Sequence, residues 1–402
     1  MKIIHNISSI NGDYGGPLFS MKIIAEAQSK LGHDVIIITG KSINEKDKIT
    51  FDSNIKVMEN NSYSKFRYMP NWLNVLKNKI GVPDIIHTYG LWNYSNYAAG
   101  KFSREFNVPH IIAPCGMLYE EALNSSSNLK KIAWYFFQKK HLNNSSCLHA
   151  KSNQEFENLV KILPHKQIKV LPNPIEIQNN NQENRDNKYF LKNLEIDKKI
   201  VFYIGRIHSR KGLKSLILVW DKIVKLFPDW VLIIAGTGEE NYCSKIIDVS
   251  KKAKNIKFFN AMKKDIIDEG DYNLIIAGSL YGNEKKQLFE HSSLFISPTG
   301  FENFGMSIAE ALSYQLPVII SGNTPWKNIE KNNCGWLIDN NKNDIKMTLI
   351  KALSLDYKLL KKMGKNSIKM IENFDKTSIA EKSIDIYKEF IDINKHSSAN
   401  VN

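Results

Sequence analysis

One stretch of the sequence determines how the rest is interpreted. It reads Leu294-Phe-Ile-Ser-Pro-Thr-Gly-Phe-Glu302-Asn-Phe-Gly-Met-Ser-Ile-Ala-Glu310-Ala-Leu-Ser-Tyr-Gln-Leu-Pro317-Val-Ile-Ile-Ser321. A short apolar run ends at Pro298, and a second apolar run follows Pro317. Between them, apolar residues recur at helical spacing from Met306. The stretch therefore predicts a strand, a loop, a helix and a second buried strand.

Two glutamates lie in the loop and the helix of this stretch. Glu302 precedes the helix and Glu310 lies about two turns into it, so both carboxylates can face the carboxyl edge of a parallel sheet. We expect the backbone N–H groups of Phe304, Gly305 and Met306 to lack intrahelical partners and to bind a sugar or a phosphate. The alternative is one carboxylate near a helix N-terminus and one on a solvated face.

The composition is that of a globular protein with acidic partners. Its 402 residues suit two domains of roughly 180 residues each. The 55 Lys+Arg exceed the 41 Asp+Glu and give a net charge of +14, which fits nucleic acid, an anionic membrane or acidic small ligands. Because the charge is scattered and no nucleic-acid-binding motif accompanies it, we expect no nucleic-acid partner.

The cysteines and the apolar runs indicate the compartment. Cys115, Cys147, Cys243 and Cys334 are isolated and lack the spacing of a zinc site, so we expect free thiols and no metal. The N-terminal apolar run is too short for a signal peptide, and no run approaches the about 18 apolar residues of a membrane span. We expect a cytoplasmic protein, at most bound to a membrane surface.

Polar residues follow the predicted strands of the first half. Gly15 and Gly16 precede a helix and would let its backbone approach a ligand, although a plain turn is the alternative. His87 and Trp92 follow a later strand, and two adjacent carboxylates, Glu120 and Glu121, follow the next. His87 could be catalytic, and Glu120 and Glu121 could reach an acceptor hydroxyl. A structural histidine and surface glutamates are the alternatives.

Two segments mix lysines with aromatic residues, namely 62–80 and 129–142. Such segments can lie in an anionic membrane interface, or their aromatic residues can face the core while the lysines are solvated. In the second half, Gly205-Arg206 ends a buried strand and Lys211-Gly212 precedes a helix. A guanidinium and an ammonium at this spacing can neutralise two adjacent phosphates, unless the loop is merely a basic surface.

Together these patterns resemble glycosyltransferase family 4. Phe-Glu-Asn-Phe-Gly-x-x-x-x-Glu-Ala from Phe301 is similar to its donor-site signature, and Gly-Arg-x-x-x-x-Lys-Gly from Gly205 is similar to its diphosphate clamp. The resemblance implies an α/β fold of GT-B type, with two doubly wound Rossmann-like domains facing a cleft. The first would span 1–178 and be joined by a C-terminal helix at about 376–393. The second would span 188–375, after a polar linker over 176–188.

The resemblance also implies an activity and a set of site residues. The family retains anomeric configuration without a metal, so the chain would be a retaining hexosyltransferase with a nucleotide sugar as co-substrate and no cofactor. The implied catalytic residues are Arg206, Lys211 and Glu302. The implied donor-binding residues are Gly15, Gly16, Gly205, Asn303, Phe304, Gly305, Met306 and Glu310. The implied acceptor-binding residues are His87, Trp92, Glu120 and Glu121.

Further patterns resemble a bacterial polysaccharide-assembly branch of this family, namely His-x-x-Gly-Leu-Trp from His87 and Pro-x-Gly-Met-Leu from Pro114. The branch implies a lipid-linked saccharide acceptor in capsule, O-antigen or exopolysaccharide biosynthesis, and peripheral contact with the inner face of the cell membrane. It commonly has arginine where this chain has Cys115. This chain also carries about twenty extra residues over 261–279, and the segment Leu274–Gly278 repeats Leu232–Gly236; a strand and a loop are both open.

Two rival functions remain on the sequence alone. An epimerase or a phosphorylase of GT-B fold would use the same cleft. A non-catalytic basic scaffold on membranes or nucleic acid would leave the two glutamates idle.

Overall fold

The computed structural model describes residues 1–41, 48–63, 66–124, 128–178, 189–191, 194–261 and 271–399. The chain forms two compact units. The first comprises Met1–Ile175 with Asn373–Asn402, and the second comprises Glu176–Glu372. Residues 179–188 of the predicted linker lie outside the described residues.

The first unit is built on a parallel seven-stranded sheet. Its strands are β1 (Lys2–Ile7), β2 (Asp34–Gly40), β3 (Lys56–Asn60), β4 (Ile85–Tyr89), β5 (His110–Ala113), β6 (Cys147–Ala150) and β7 (Ile168–Val170), in the order β3-β2-β1-β4-β5-β6-β7. Its helices are α1 (Gly16–Lys30), α2 (Trp72–Val75), α3 (Tyr94–Phe106), α4 (Glu120–Asn124), α5 (Asn128–Ala133), α6 (Lys139–Asn143) and α7 (Asn153–Ile162), with π-helical segments at Leu76–Ile80 and Trp134–Gln138. The strand order reverses between β1 and β4, so a ligand site is expected at their carboxyl ends.

The second unit has a parallel sheet of the same size. A two-stranded antiparallel pair, β8 (Tyr189–Leu191) and β9 (Leu194–Ile196), precedes it. The sheet strands are β10 (Lys199–Ile204), β11 (Trp230–Ala235), β12 (Phe258–Asn260), β13 (Leu274–Gly278), β14 (Ser292–Ser297), β15 (Val318–Ser321) and β16 (Gly335–Ile338), in the order β12-β13-β11-β10-β14-β15-β16. The helices are α8 (Leu213–Ile223), α9 (Glu240–Lys251), α10 (Gly282–His291), α11 (Met306–Ser313), α12 (Lys342–Leu353) and α13 (Tyr357–Ile371). Here the strand order reverses between β10 and β14.

The pentapeptide Leu274–Gly278, which the sequence allowed to be either a strand or a loop, is a strand. Residues 262–270 lie outside the described part of the chain, but Leu274–Gly278 forms β13, inserted between β12 and β11. Its partner in β11 is the first copy, with Leu232 opposite Leu274. Gly236 N–H donates to the Gly278 carbonyl at 2.7 Å. The two copies therefore lie side by side, in register from Leu232 to Ile234 and shifted by one residue at Ala235, which lies opposite Gly278. Both strands are buried on both faces, as central parallel strands require.

The last helix, α14 (Lys376–Ala399), belongs to the first unit and runs past the expected end at 393. Its Ile384, Tyr387 and Phe390 pack against Ile3 and Ile85 of the sheet. The prediction of two doubly wound α/β domains is confirmed. No helix in the described ranges combines the length and the apolar character needed to cross a membrane.

Candidate functional site

The predicted cationic loop and the predicted glutamate loop lie together where the strand order of the second unit reverses. β10 leads into Gly205 and Arg206, while β14 leads into the loop that carries Glu302. Gly300 N–H donates to the Arg210 carbonyl at 2.7 Å, which joins the two loops. Gly212, with φ +70°, is required at the contact because a Cβ there would lie 2.1 Å from the Pro298 carbonyl oxygen.

Each predicted glutamate is paired with a lysine. The Lys211 ammonium donates to Glu302 Oε1, and the Lys285 ammonium of α10 donates to Glu310 Oε1 at 2.5 Å. All four side chains keep between 16% and 28% of their surface exposed, so the pairs are partly screened from water but accessible. Lys285 is a site residue that the sequence analysis missed. The available signal was a lysine close to the start of α10, which directly precedes β14.

Arg206 differs from the two lysines. It is exposed, and within the described residues its guanidinium has no carboxylate within 4.0 Å. Its position is fixed through the backbone, because the buried Tyr203 hydroxyl donates to the Arg206 carbonyl at 3.2 Å. The site therefore presents one uncompensated cation beside two neutralised pairs, which suits an anionic ligand.

The start of α11 supplies further donors. Gly305, with φ +82°, caps the helix without a side-chain hydrogen bond, and within the described structure the amides of Met306 and Ser307 have no acceptor. The loop before it, which contains Asn303, is held by the Trp326 indole N–H, which donates to the Phe304 carbonyl at 2.6 Å. The helix thus begins at a fixed position, with two backbone donors at its positive end.

In the first unit, Gly15 and Gly16 lie at the start of α1, beside the point where that sheet reverses. Trp92 follows β4 with a positive φ of 67°, which is rare for a residue with a large side chain. Its backbone N–H donates to Gln138 Oε1 at 3.2 Å. The Trp92 indole N–H and the Gln138 amide nitrogen are buried and lack partners among the described residues. Both donors are enclosed by the protein in this structure.

His87 has the contacts of a core residue. Its Nδ1 lies 2.6 Å from the Tyr387 hydroxyl and its Nε2 lies 3.0 Å from His149 Nδ1. Burial, then the nearby His149, lowers the pKa of His87 well below its ordinary value, so the ring is neutral. His87 therefore connects the sheet to α14. Glu120 is exposed at the start of α4, and the side chain of Glu121 lies outside what the structure describes.

Lys151 is a second residue that the sequence analysis missed. It directly follows β6 and is 3% exposed. Burial lowers the pKa of Lys151 to about 8. Nearby, Cys115 has a φ of 55°, and burial raises the pKa of its thiol to about 12, although the Lys151 charge acts in the opposite direction. The available signal was a lysine immediately after a buried strand, at the edge where ligands bind.

The two basic aromatic segments meet at the protein surface. Trp72 and Leu76 of the first segment are buried in the core, but Tyr135 and Phe136 of the second are 84% and 81% exposed. Phe66 joins the segments, since its ring centroid lies 5.9 Å from that of Phe137. We call Phe66, Ile132, Tyr135, Phe136 and Phe137 the aromatic surface. The expectation of core-facing apolar residues therefore holds for Trp72 and Leu76, whereas Tyr135 and Phe136 face solvent, and the membrane contact stays a prediction.

Comparisons with known proteins agree with this architecture. Residues 14–179 match the family described as Glycosyltransferase Family 4, and residues 184–370 match Glycosyl transferases group 1. An uncharacterised glycosyltransferase of Methanocaldococcus jannaschii is 22% identical, covering 93% of this chain and 94% of its own. The UDP-Gal:alpha-D-GlcNAc-diphosphoundecaprenol alpha-1,3-galactosyltransferase of Escherichia coli is 26% identical, covering 78% of this chain and 76% of its own.

Solved structures share the fold at low identity. Sucrose-phosphate synthase of Thermosynechococcus elongatus superposes with a TM-score of 0.72 at 18% identity, over 98% of this chain and all of its own. The Anabaena protein HepE, in complex with UDP and glucose, superposes with a TM-score of 0.71 at 15% identity, over 96% of this chain and 99% of its own. Two parallel doubly wound units of this kind are a GT-B fold. The chain belongs to glycosyltransferase family 4.

Proposed function

We propose that this enzyme transfers a sugar, with retention of anomeric configuration, from a nucleotide-diphosphate donor to a lipid-linked saccharide during assembly of a capsule, O-antigen or exopolysaccharide. The observation that carries the proposal is the clustering of Arg206, Lys211 and Glu302 where the second sheet reverses. The donor is supported by the Anabaena structure, which holds UDP and glucose.

The chemical demand of the reaction is the charge that develops on the departing diphosphate. As the bond between the anomeric carbon and the phosphate oxygen breaks, Arg206, Lys211 and the α11 amides stabilise that charge, so neither a metal nor a cofactor is required. The acceptor oxygen attacks from the face that the phosphate leaves, and the phosphate oxygen takes the acceptor proton. Glu302 holds hydroxyls of the transferred sugar, and Glu310 holds those of the ribose.

The lipid-linked acceptor is supported by the first unit. Lys130, Lys131, Lys139 and Lys140 flank the exposed Tyr135 and Phe136, and cations around exposed aromatic rings suit an anionic membrane interface. Trp92 lies beside the same segment, since its backbone N–H donates to Gln138 Oε1 at 3.2 Å. The Escherichia coli relative is named for an acceptor on diphosphoundecaprenol.

Three alanine variants test the donor site: Arg206→Ala, Lys211→Ala and Glu302→Ala. Each is assayed for transfer and for donor hydrolysis, after a thermal-shift panel of UDP-, GDP- and ADP-sugars has identified the donor. Loss of either cation should reduce turnover about 10²-fold or more. Lys214→Ala is the matched control, because Lys214 is an exposed lysine of α8 three residues further on. Unchanged turnover in all three variants would refute the assignment.

Vesicle binding tests the membrane contact. Tyr135→Ser with Phe136→Ser should weaken retention on vesicles of phosphatidylglycerol and phosphatidylethanolamine, whereas Met347→Ser, which removes a 57% exposed side chain of the second unit, should not. Equal retention of all variants contradicts the contact. Retention without binding of any nucleotide sugar would favour a non-catalytic scaffold, and visible absorbance of a pyridoxal cofactor would favour a phosphorylase.

A further inference from the structure

Lys151 is a buried cation without a counterion. It is 3% exposed, and among the described residues its ammonium has no hydrogen-bond acceptor and no carboxylate within 4.0 Å. The nearest carboxylate along the chain, Glu155, is committed to backbone donors, since it accepts from Gly116 N–H at 2.6 Å and from Lys151 N–H at 2.8 Å. Proteins rarely bury a lysine in this way unless it has a partner.

The aromatic ring of Tyr89 is the contact that the ammonium does make. The distance from Nζ to the ring centroid is 5.2 Å. A cation over a tyrosine face gains less than the cost of removing an ammonium from water. The ring positions the charge but does not compensate it.

The groups around Lys151 do not neutralise it either. His5 and His149 are uncharged because burial lowers the pKa of His5 to about 4 and that of His149 well below its ordinary value. Burial also raises the pKa of the Cys115 thiol, which therefore stays protonated at neutral pH. Cys115 and then Glu155 are the acidic groups that oppose the effect of burial on Lys151, and Glu155 is the carboxylate of the two. Its two oxygens accept from backbone N–H groups, and its carboxylate acts on the Lys151 ammonium only from beyond 4.0 Å, so the ammonium has no direct counterion among the described residues.

The position of Lys151 suits a ligand site. It follows β6 at the carboxyl edge of the first sheet, and Cys115 follows the neighbouring strand β5. Tyr89, which the ammonium contacts, packs in one cluster with Leu18 of the first turn of α1, and Cys115 packs against that cluster. Lys151 itself keeps 3% of its surface exposed at this edge.

We infer that Lys151 binds a phosphate or diphosphate group of a substrate at the carboxyl edge of the first unit. This inference rests on the proposed function, because both the nucleotide donor and the lipid-linked acceptor carry such a group. The anion would provide the counterion that the folded chain does not. Cys115 is too weak an acid to do so at neutral pH.

The test removes the positive charge of Lys151, which follows β6, and restores a positive charge at Cys115, which follows the neighbouring strand β5. Lys151→Met removes the charge at nearly constant volume, and the double variant Lys151→Met with Cys115→Arg places a guanidinium on the neighbouring loop. The single variant should lose about 10- to 100-fold in affinity for the substrate that Lys151 contacts, and the double variant should recover most of the loss. A purely structural lysine would not be replaced by an arginine on another loop.

Two measurements identify the source of the phosphate. If it belongs to the donor, Lys151→Met weakens binding of nucleoside diphosphate but not of nucleoside. If it belongs to the acceptor, the variant raises KM for a polyprenyl-diphosphate saccharide but not for the same saccharide without the lipid diphosphate. If the wild type transfers sugar and Lys151→Met changes neither the affinity for nucleoside diphosphate nor the KM for the polyprenyl-diphosphate saccharide, the inference about Lys151 is wrong and the proposed function is unaffected. Absence of transfer by the wild type with every donor counts against the proposed function instead.

Lys166→Met is the matched control. Lys166 is also partly buried in the first unit, but its ammonium donates to the carbonyls of Asn143, at 3.2 Å, and Ser145. Its loss should lower stability without weakening either substrate. Lys151→Gln is a second variant in case the methionine form does not fold. If neither form folds, Lys151 is structural and the inference is wrong.

Discussion

Replacing Lys151 by methionine should make the enzyme more stable at neutral pH. Burial lowers the pKa of Lys151 from 10.5 to about 8, so the folded state binds a proton at this group less tightly than the unfolded state. At about 1.4 kcal/mol for each pH unit, that difference corresponds to about 3 kcal/mol of unfolding free energy lost at pH 7, where the lysine is charged in both states. Methionine fills a similar volume without this cost.

The pH dependence distinguishes this cause from improved packing. Between pH 8 and 10.5 the folded lysine is neutral while the unfolded one still binds a proton, so wild-type stability rises relative to the variant. The advantage of Lys151→Met should therefore be largest below pH 8 and should shrink as the pH approaches 10. Urea unfolding at pH 7 and pH 9.5, followed by circular dichroism, measures both values. A variant less stable than wild type at pH 7, or an advantage that does not change with pH, would refute the reasoning.

Three further predictions concern other parts of the molecule. Burial lowers the pKa of His5 and of His141 to about 4, so below pH 6.5 the unfolded state binds more protons than the folded state. Urea unfolding at pH 7 and at pH 4.5 should therefore show that the unfolding free energy falls by up to about 3 kcal/mol for each of the two groups. Gly236→Ala should destabilise the second unit by about 2–4 kcal/mol in thermal unfolding, because the new Cβ would lie 1.9 Å from a carbonyl oxygen and the backbone has a φ of 131°. Gly322→Ala is the control: nothing lies within 4 Å of its Cβ, so it should cost under about 1 kcal/mol in that assay. Glu310→Gln should weaken binding of the intact donor roughly 10-fold by calorimetry, since a charged acceptor of ribose hydroxyls is lost; unchanged affinity would contradict that role.

The sequence predicted the centre of the second unit well because its patterns there are local. The apolar runs around the two glutamates correspond to β14 and β15, and the helical stripe from Met306 corresponds to α11. These elements depend on proline and glycine boundaries and on regular apolar spacing, all of which are visible within a few residues.

Other features depended on contacts between distant parts of the chain. The repeat Leu274–Gly278 reads equally well as a strand or a buried loop, and its place between β12 and β11 follows from pairing with a segment some forty residues earlier. The pairing of Lys285 with Glu310 joins two different helices. The burial of Lys151 depends on three neighbouring strands. No local pattern contains such information.

The ion pairs are consistent with the positioning roles proposed for the two glutamates. A general acid must hold a proton, but Glu302 and Glu310 each accept a hydrogen bond from an ammonium. An ionised carboxylate has about four acceptor positions, so each glutamate can keep its lysine and still receive sugar or ribose hydroxyls. The lysines therefore hold both carboxylates in place before any ligand binds, which is the preorganisation that a positioning role requires. Arg206, which has no such partner in the described residues, is then the group whose charge is least compensated. It should contribute more to diphosphate binding than Lys211, whose charge Glu302 already offsets.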